Sequence, residues 1–202
     1  MKRFTFLGII SLVVVLVWSL SFLTVSCTND DDDDDTPTPT PTQPPATPTV
    51  TPTWPPEGNQ VGNRGPNFTL NDRNETPHTL WNYEGDVILL DLSAMWCGPC
   101  QSEAKNAEAL YQYYKDRGFI ILSVLISDYQ YNKPDAADCA SWADRFGLTF
   151  PVLYDPDRVA WNLYNTEGYI PLNVILDRNM VIRYTETGYN ENAIKNMIES
   201  LL

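Results

Sequence analysis

A chain of 202 residues leaves room for one or two domains. Its formal charge of −13 speaks against nucleic-acid binding, because a phosphate backbone is held by a surplus of Lys and Arg. Six of those negative charges form a single run, Asp30 to Asp35, so the rest of the chain is only moderately acidic.

The N-terminus begins with the positive pair Lys2-Arg3, followed by a nearly unbroken apolar stretch from Phe4 to Val25 and then Ser26-Cys27. It resembles a bacterial lipoprotein signal peptide, in which Cys27 becomes the lipidated first residue; Leu23 lies one position further from the cysteine than the usual leucine. The alternative is an uncleaved transmembrane anchor, since about 20 apolar residues span a bilayer. Either way Lys2 and Arg3 stay inside and the body of the protein lies on the extracytoplasmic side of a bacterial membrane. After Cys27 come the Asp run and alternating Thr and Pro as far as Thr53. Proline favours extended polyproline II and like charges repel, so this stretch reads as a disordered tether. The Asp run lacks the glycine and the spaced ligands of a calcium loop. The expected organisation is a signal or anchor over 1–27, a tether over 28–57 and one folded domain over 58–202.

Within that domain, Asn67–Leu70 and Thr76–Leu80 bracket the turn-rich Asn71-Asp72-Arg73-Asn74, which predicts a β-hairpin. Val87 to Leu92 is apolar except for Asp91, as a strand covered on both faces requires. Cys100, Ala104, Ala107, Tyr111 and Tyr114 then recur at spacings of 4, 3, 4 and 3, one face of a helix ending near Gly118. Phe119 to Ile126 predicts a second buried strand, Asp135 to Phe146 a helix stopped by Gly147, and Val159 to Tyr164 a short helical turn. Asn173–Leu176 and Val181–Tyr184 form a second hairpin, and Asn190 to Leu202 closes the chain as an amphipathic helix. Strands alternating with helices, then a terminal hairpin, imply an α/β sheet with helices on both faces.

The chemistry concentrates in Trp96-Cys97-Gly98-Pro99-Cys100, at the junction of the first buried strand and the first helix. Two thiols separated by two residues can close into a disulfide and reopen. A cysteine at a helix N-terminus meets unpaired N–H groups and the positive end of the macrodipole, which favour its thiolate, the nucleophilic form. Cys97 is therefore the candidate nucleophile. Cys100, on the buried helix face, is the resolving thiol, and Cys97 is expected to be the more exposed. Half of a zinc site is the competing reading, but zinc needs four ligands and only Cys27, His78 and Cys139 remain. A purely structural disulfide is a further alternative, although so short a loop stabilises little through chain entropy. Cys139 reads as a small buried helix residue.

The order strand, WCGPC, helix, strand, helix, then a proline before a β-hairpin resembles the thioredoxin fold. Gly65–Leu70 and Trp81–Asp86 resemble the N-terminal hairpin of its TlpA/ResA and redoxin (AhpC/TSA) branch, over about residues 61–200. The resemblance implies a central mixed sheet with helices on both faces and an added N-terminal hairpin. It also implies roles for particular residues. Asp91 sits at the offset of thioredoxin's buried acid; an unpaired buried carboxylate takes up a proton or finds partners, and with a raised pKa it would accept the proton of Cys100. Glu103 lies one helical turn after Cys100, where TlpA/ResA-type proteins carry a glutamate that tunes the thiols, although Lys105 stands where those proteins usually have proline. An exposed helix-surface glutamate is the alternative. Pro171 is expected in the cis form, facing the cysteines, with Ile170 touching the substrate backbone. Trp96 flanks the site, and Gly98 and Pro99 set the turn.

These residues lead to an extracytoplasmic, membrane-tethered thiol–disulfide oxidoreductase that reduces disulfides of exported proteins. It would need no cofactor beyond the Cys97–Cys100 pair and no metal, and a membrane electron donor of the DsbD/CcdA kind would recharge it. Two rivals are weaker. An AhpC/TSA-type peroxidase wants proline and a hydroxyl where Leu90 and Ala94 stand, and a Sco-like copper protein wants CxxxC and a downstream histidine.

Overall fold

The computed structural model describes residues 53–202. The expected signal or anchor, Cys27 and most of the tether lie outside them. The sheet is built around Val87–Ser93 (β3), in which every residue is buried. A strand with no solvent-facing side must be paired along both edges and covered on both faces. β3 pairs in parallel with Phe119–Leu125 (β4) and antiparallel with Leu172–Leu176 (β6). Outward from these lie Thr69–Asp72 (β1), Pro77–Thr79 (β2), Val152–Tyr154 (β5) and Ile182–Thr187 (β7). The order is β2-β1-β5-β4-β3-β6-β7.

Helices cover both faces. Gly98–Tyr114 (α1), Ala136–Phe146 (α2) and Glu191–Leu201 (α4) pack with Val87, Leu89, Ile121 and Ile175 on one side. Val159–Tyr164 (α3) packs with Ile88, Leu90, Leu122 and Val174 on the other. The alternating residues of β3 thus feed two separate cores, as the period of two requires.

The helix starts are fixed by local chemistry. Asp135 and Asp138 form a reciprocal capping box at the start of α2. Asn190 caps α4 by accepting from Ala193 N at 3.2 Å. Buried Asp155 accepts from Val159 N and Trp161 N at 2.6 and 3.0 Å, opening α3.

Three details depart from the sequence reading. β5 has no counterpart in it: the strand is only three residues long and follows Pro151, so it carries almost no periodic signal. α1 ends at Tyr114, and the chain tightens into a 3-10 turn over Lys115–Arg117 before left-handed Gly118 (φ 79°). β7 begins at Ile182 and runs to Thr187, because Val181 bridges to Arg64 instead.

The segment entering the domain packs tightly. A Cβ at Gly65 would lie 2.5 Å from Leu176 Cδ2 and 2.8 Å from Tyr164 Oη, and that hydroxyl donates to Pro66 O at 2.6 Å. Gly65→Ala is therefore expected to destabilise the domain by about 1–3 kcal/mol, lowering Tm by roughly 2–4 °C per kcal/mol. Thermal unfolding checks this, and an unchanged Tm would contradict it.

Candidate active site

β3 ends at Ser93 and α1 begins at Gly98, so Cys97 becomes the N-cap, in extended conformation. Its sulfur accepts from Cys100 N at 3.2 Å. Pro99 lies in the first helical turn, where a missing N–H leaves no bond unmade. The turn is pinned from outside: Gln101 Nε2 donates to Met95 O at 2.8 Å, and Met95 N donates to Ser127 O at 3.1 Å. Cys97 and Cys100 form a disulfide with Cα atoms 5.3 Å apart.

The cis Ile170–Pro171 bond faces this pair, with Cys97 Sγ 3.9 Å from Ile170 O. Trp96, Gly98 and Pro99 are exposed around the sulfurs. Cys97 is the more exposed of the two cysteines, as expected, but only slightly: both are buried, with 4% of Cys97 and 1% of Cys100 exposed. The packed turn and the Ile170 segment cover Cys97, while helix periodicity alone accounts only for Cys100.

Beneath the disulfide the sheet carries a polar row. Asp91 is in register with Ser123 on β4 and with Asn173 on β6. By strand alternation it shares the α1 side of β3 with Val87 and Leu89, the side on which Cys100 packs. Asp91 is 6% exposed. Its Oδ1 accepts from Ser93 Oγ at 2.6 Å and its Oδ2 from Ser123 Oγ at 2.9 Å. Burial pushes its pKa up to about 6, against the pull of the two hydroxyl donors.

Glu103 descends from α1 into the same region and is 4% exposed, so the helix-surface alternative is wrong. The reason is geometric: at three residues after Cys100 and four before Ala107 it shares their buried stripe. Burial first, then the negative charge of Asp91, hold its carboxyl well above the usual range, opposed by a hydrogen bond from Asn173 Nδ2 at 3.1 Å. Among the described residues, Glu103 Oε1 and Asn173 Oδ1 have no hydrogen-bond partner, and no Lys or Arg pairs with either acid. Two desolvated carboxyls without a cation favour retaining protons.

Ser93, Ser123 and Asn173 were not singled out from the sequence. Asn173 carried the same signal as Asp91, a polar residue inside an apolar strand. Ser123 becomes meaningful only once the register with β3 is known. Tyr131, whose ring stacks on Trp96 at 4.9 Å, carried no signal.

Comparison with known proteins adds to this geometry. The AhpC/TSA family matches residues 61–185. The chain is similar to the thiol-disulfide oxidoreductase ResA of Geobacillus thermodenitrificans, 32% identical over 142 residues that cover 70% of this chain and 78% of that protein. It is similar to the thioredoxin-like protein YneN of Bacillus subtilis, 30% identical over 131 residues, covering 65% and 74%. Among solved structures it resembles a protein from Chlorobium tepidum assigned as the thiol:disulfide interchange protein DsbE, with a TM-score of 0.62, 23% identity, and 70% and 97% of the two chains covered. The shared architecture is the thioredoxin-like fold.

A folded-state pKa above the ordinary value means that the folded protein binds the proton more tightly than the unfolded chain does. The stability linked to Asp91 is therefore complete below about pH 4 and lost as pH rises through about 6. The rise from the ordinary aspartate value to about 6 corresponds to about 3 kcal/mol. Asp91→Asn is expected to gain stability relative to wild type by that order between pH 4 and 8, measured by denaturant unfolding of the oxidised protein. A difference between the two proteins that does not change with pH would contradict the assignment.

Proposed function

The chain belongs to the AhpC/TSA family, and from that membership and the geometry of the dithiol we propose that it is a thiol–disulfide oxidoreductase acting on protein disulfides. The observation that carries this reading is the closed Cys97–Cys100 pair at the N-terminus of α1, backed by two buried acids. In the reduced protein, the Cys100 N–H and the start of α1 favour negative charge on Cys97. The Cys97 thiolate attacks one sulfur of a substrate disulfide; a Cys97–substrate bond forms, and the other substrate sulfur leaves as a thiolate that takes a proton from water. Cys100 then gives its proton to the buried carboxylate pair and attacks Cys97 Sγ. The mixed disulfide breaks, the second substrate sulfur leaves, and the enzyme is oxidised by two electrons while the substrate is reduced by two.

Asp91 is the proton acceptor on the sheet side. Glu103, held by Asn173, keeps the pair from carrying two charges at once. Trp96, Gly98, Pro99, Ile170 and cis Pro171 form the surface against which the substrate chain lies. A return to the dithiol needs an external reductant. The polar start and apolar stretch of residues 1–27, with Cys27 as the lipidation site, and the tether over 28–57 support membrane attachment on the extracytoplasmic side. There the reductant would be a membrane electron donor of the DsbD/CcdA kind and the substrates exported proteins. Peroxidase chemistry is disfavoured: the positions that would carry proline and a hydroxyl are Leu90 and Ala94, both fully buried.

Reduction of insulin by dithiothreitol, followed by turbidity, tests the activity. Wild type is expected to accelerate it, Cys97→Ser to abolish the acceleration, and Cys100→Ser to accumulate a mixed disulfide visible by mass spectrometry. No acceleration by wild type would overturn the reading. Asp91→Asn is expected to slow closure by Cys100 near pH 7 by roughly 10²-fold, the usual scale for a positioned proton acceptor; stopped-flow decay of the mixed disulfide reports it, and an unchanged rate would remove Asp91 from the mechanism.

A further inference from the structure

Seven large apolar or aromatic side chains are exposed among the described residues, and three of them, Trp96, Tyr131 and Tyr169, belong to the segments that adjoin the disulfide. Trp96 immediately precedes Cys97, and Tyr169 immediately precedes Ile170. Tyr131 comes from the loop after β4, and its ring lies over that of Trp96 with 4.9 Å between centroids and 26° between planes. Stacking leaves Tyr131 73% exposed, so hydrophobic burial within the domain does not explain its position.

The loop is built to hold that ring outward. Tyr131 has φ 66°, the left-handed region that disfavours a side chain with a Cβ. Asp128 enforces it: its Oδ1 accepts from Gln130 N at 2.8 Å and Asn132 N at 2.7 Å, its Oδ2 accepts from Asn132 Nδ2 at 3.0 Å, and its own N–H donates to Asn132 O at 3.2 Å. Met95 N donates to Ser127 O, tying the loop to the residue before Trp96. A strained conformation kept by four bonds at the edge of a reactive pair is the pattern of a functional contact.

We propose that Tyr131 and Trp96 form a substrate-reading platform that selects disulfides whose cysteine is flanked by an aromatic or aliphatic residue. This deepens the oxidoreductase reading and rests on it. Because Cys97 is nearly covered, a partner sulfur reaches it only if the partner backbone lies close to the surface, along Ile170. The residues beside the partner cysteine then land on the exposed rings, Tyr169 to one side and the Trp96–Tyr131 stack to the other. The flanks of Tyr131 are the uncharged Gln130 and Asn132, and Lys133 is paired with Asp157 at 2.8 Å. The platform therefore reads apolar surface rather than charge.

The test uses the prereduced full chain and disulfide-linked dimers of two short peptides, identical except for Phe or Ser next to the cysteine. Thiol release is followed at varied peptide concentration. Wild type is expected to favour the Phe peptide by roughly tenfold in the single-turnover rate constant at low peptide concentration, the scale for one apolar contact, with the difference in half-saturation. Tyr131→Gly is expected to bring the ratio close to one without lowering Tm, since glycine adopts this φ without strain, and Tyr131→Phe is expected to keep it. A wild type that reduces both peptides equally, or a preference that survives Tyr131→Gly, would overturn the proposal alone. A wild type that reduces neither peptide nor glutathione disulfide would overturn the oxidoreductase reading itself.

Discussion

Burial of the Asp91 carboxyl beneath a disulfide is the constraint on which the rest of the site depends. β3 is buried at every residue, flanked by β4 and β6 and covered on both faces, so Asp91 keeps only 6% of its surface exposed. Stabilising a lone carboxylate there would require a cation, and the described residues supply none. The protein instead offers two serine hydroxyls, which hold the group in place without neutralising it. The outcome is an acid whose proton is held near pH 6 and can be exchanged. Glu103 reinforces this, because two carboxyls in one dry region cannot both ionise cheaply.

The site forms where loops meet at one end of the sheet. The segments after the parallel strands β3 and β4 both emerge at their carboxyl ends, bringing Trp96–Cys97 and the Asp128–Asn132 loop together. β6 runs the other way, so its start, with Pro171, arrives at the same end. A rigid centre thus presents three short segments whose geometry is fixed by their own hydrogen bonds. In the proposed reading the first segment supplies the covalent chemistry, the second the stacked aromatic and the third the contact with the substrate backbone.

Much of this was legible in the sequence because the signals were local. WCGPC at a strand-to-helix boundary, the polar interruption at Asp91 and the Gly147 stop of α2 each depend on neighbours within a few positions. Glu103 was ambiguous because a helical stripe has soft edges, and only the packed face decides whether its margin is buried. How nearly Cys97 is covered was not legible, because Ile170, which approaches it, comes from elsewhere in the chain. Ser123 acquires meaning only through strand register, and Tyr131 only through a loop conformation set by Asp128. None of these follows from periodicity. β5 was missed because a three-residue strand leaves no period to detect.

The protonation of Asp91 is the most direct point of attack on this account. Selective ¹³C labelling of aspartate carboxyls, with the Asp91 resonance assigned by its absence in Asp91→Asn, allows its titration to be followed in the oxidised protein between pH 3 and 9. The account predicts a midpoint about two units above that of an exposed aspartate, close to pH 6. A midpoint at or below pH 4 would mean that the carboxyl is ionised and solvated, and a buried proton acceptor beneath the Cys97–Cys100 pair would be ruled out.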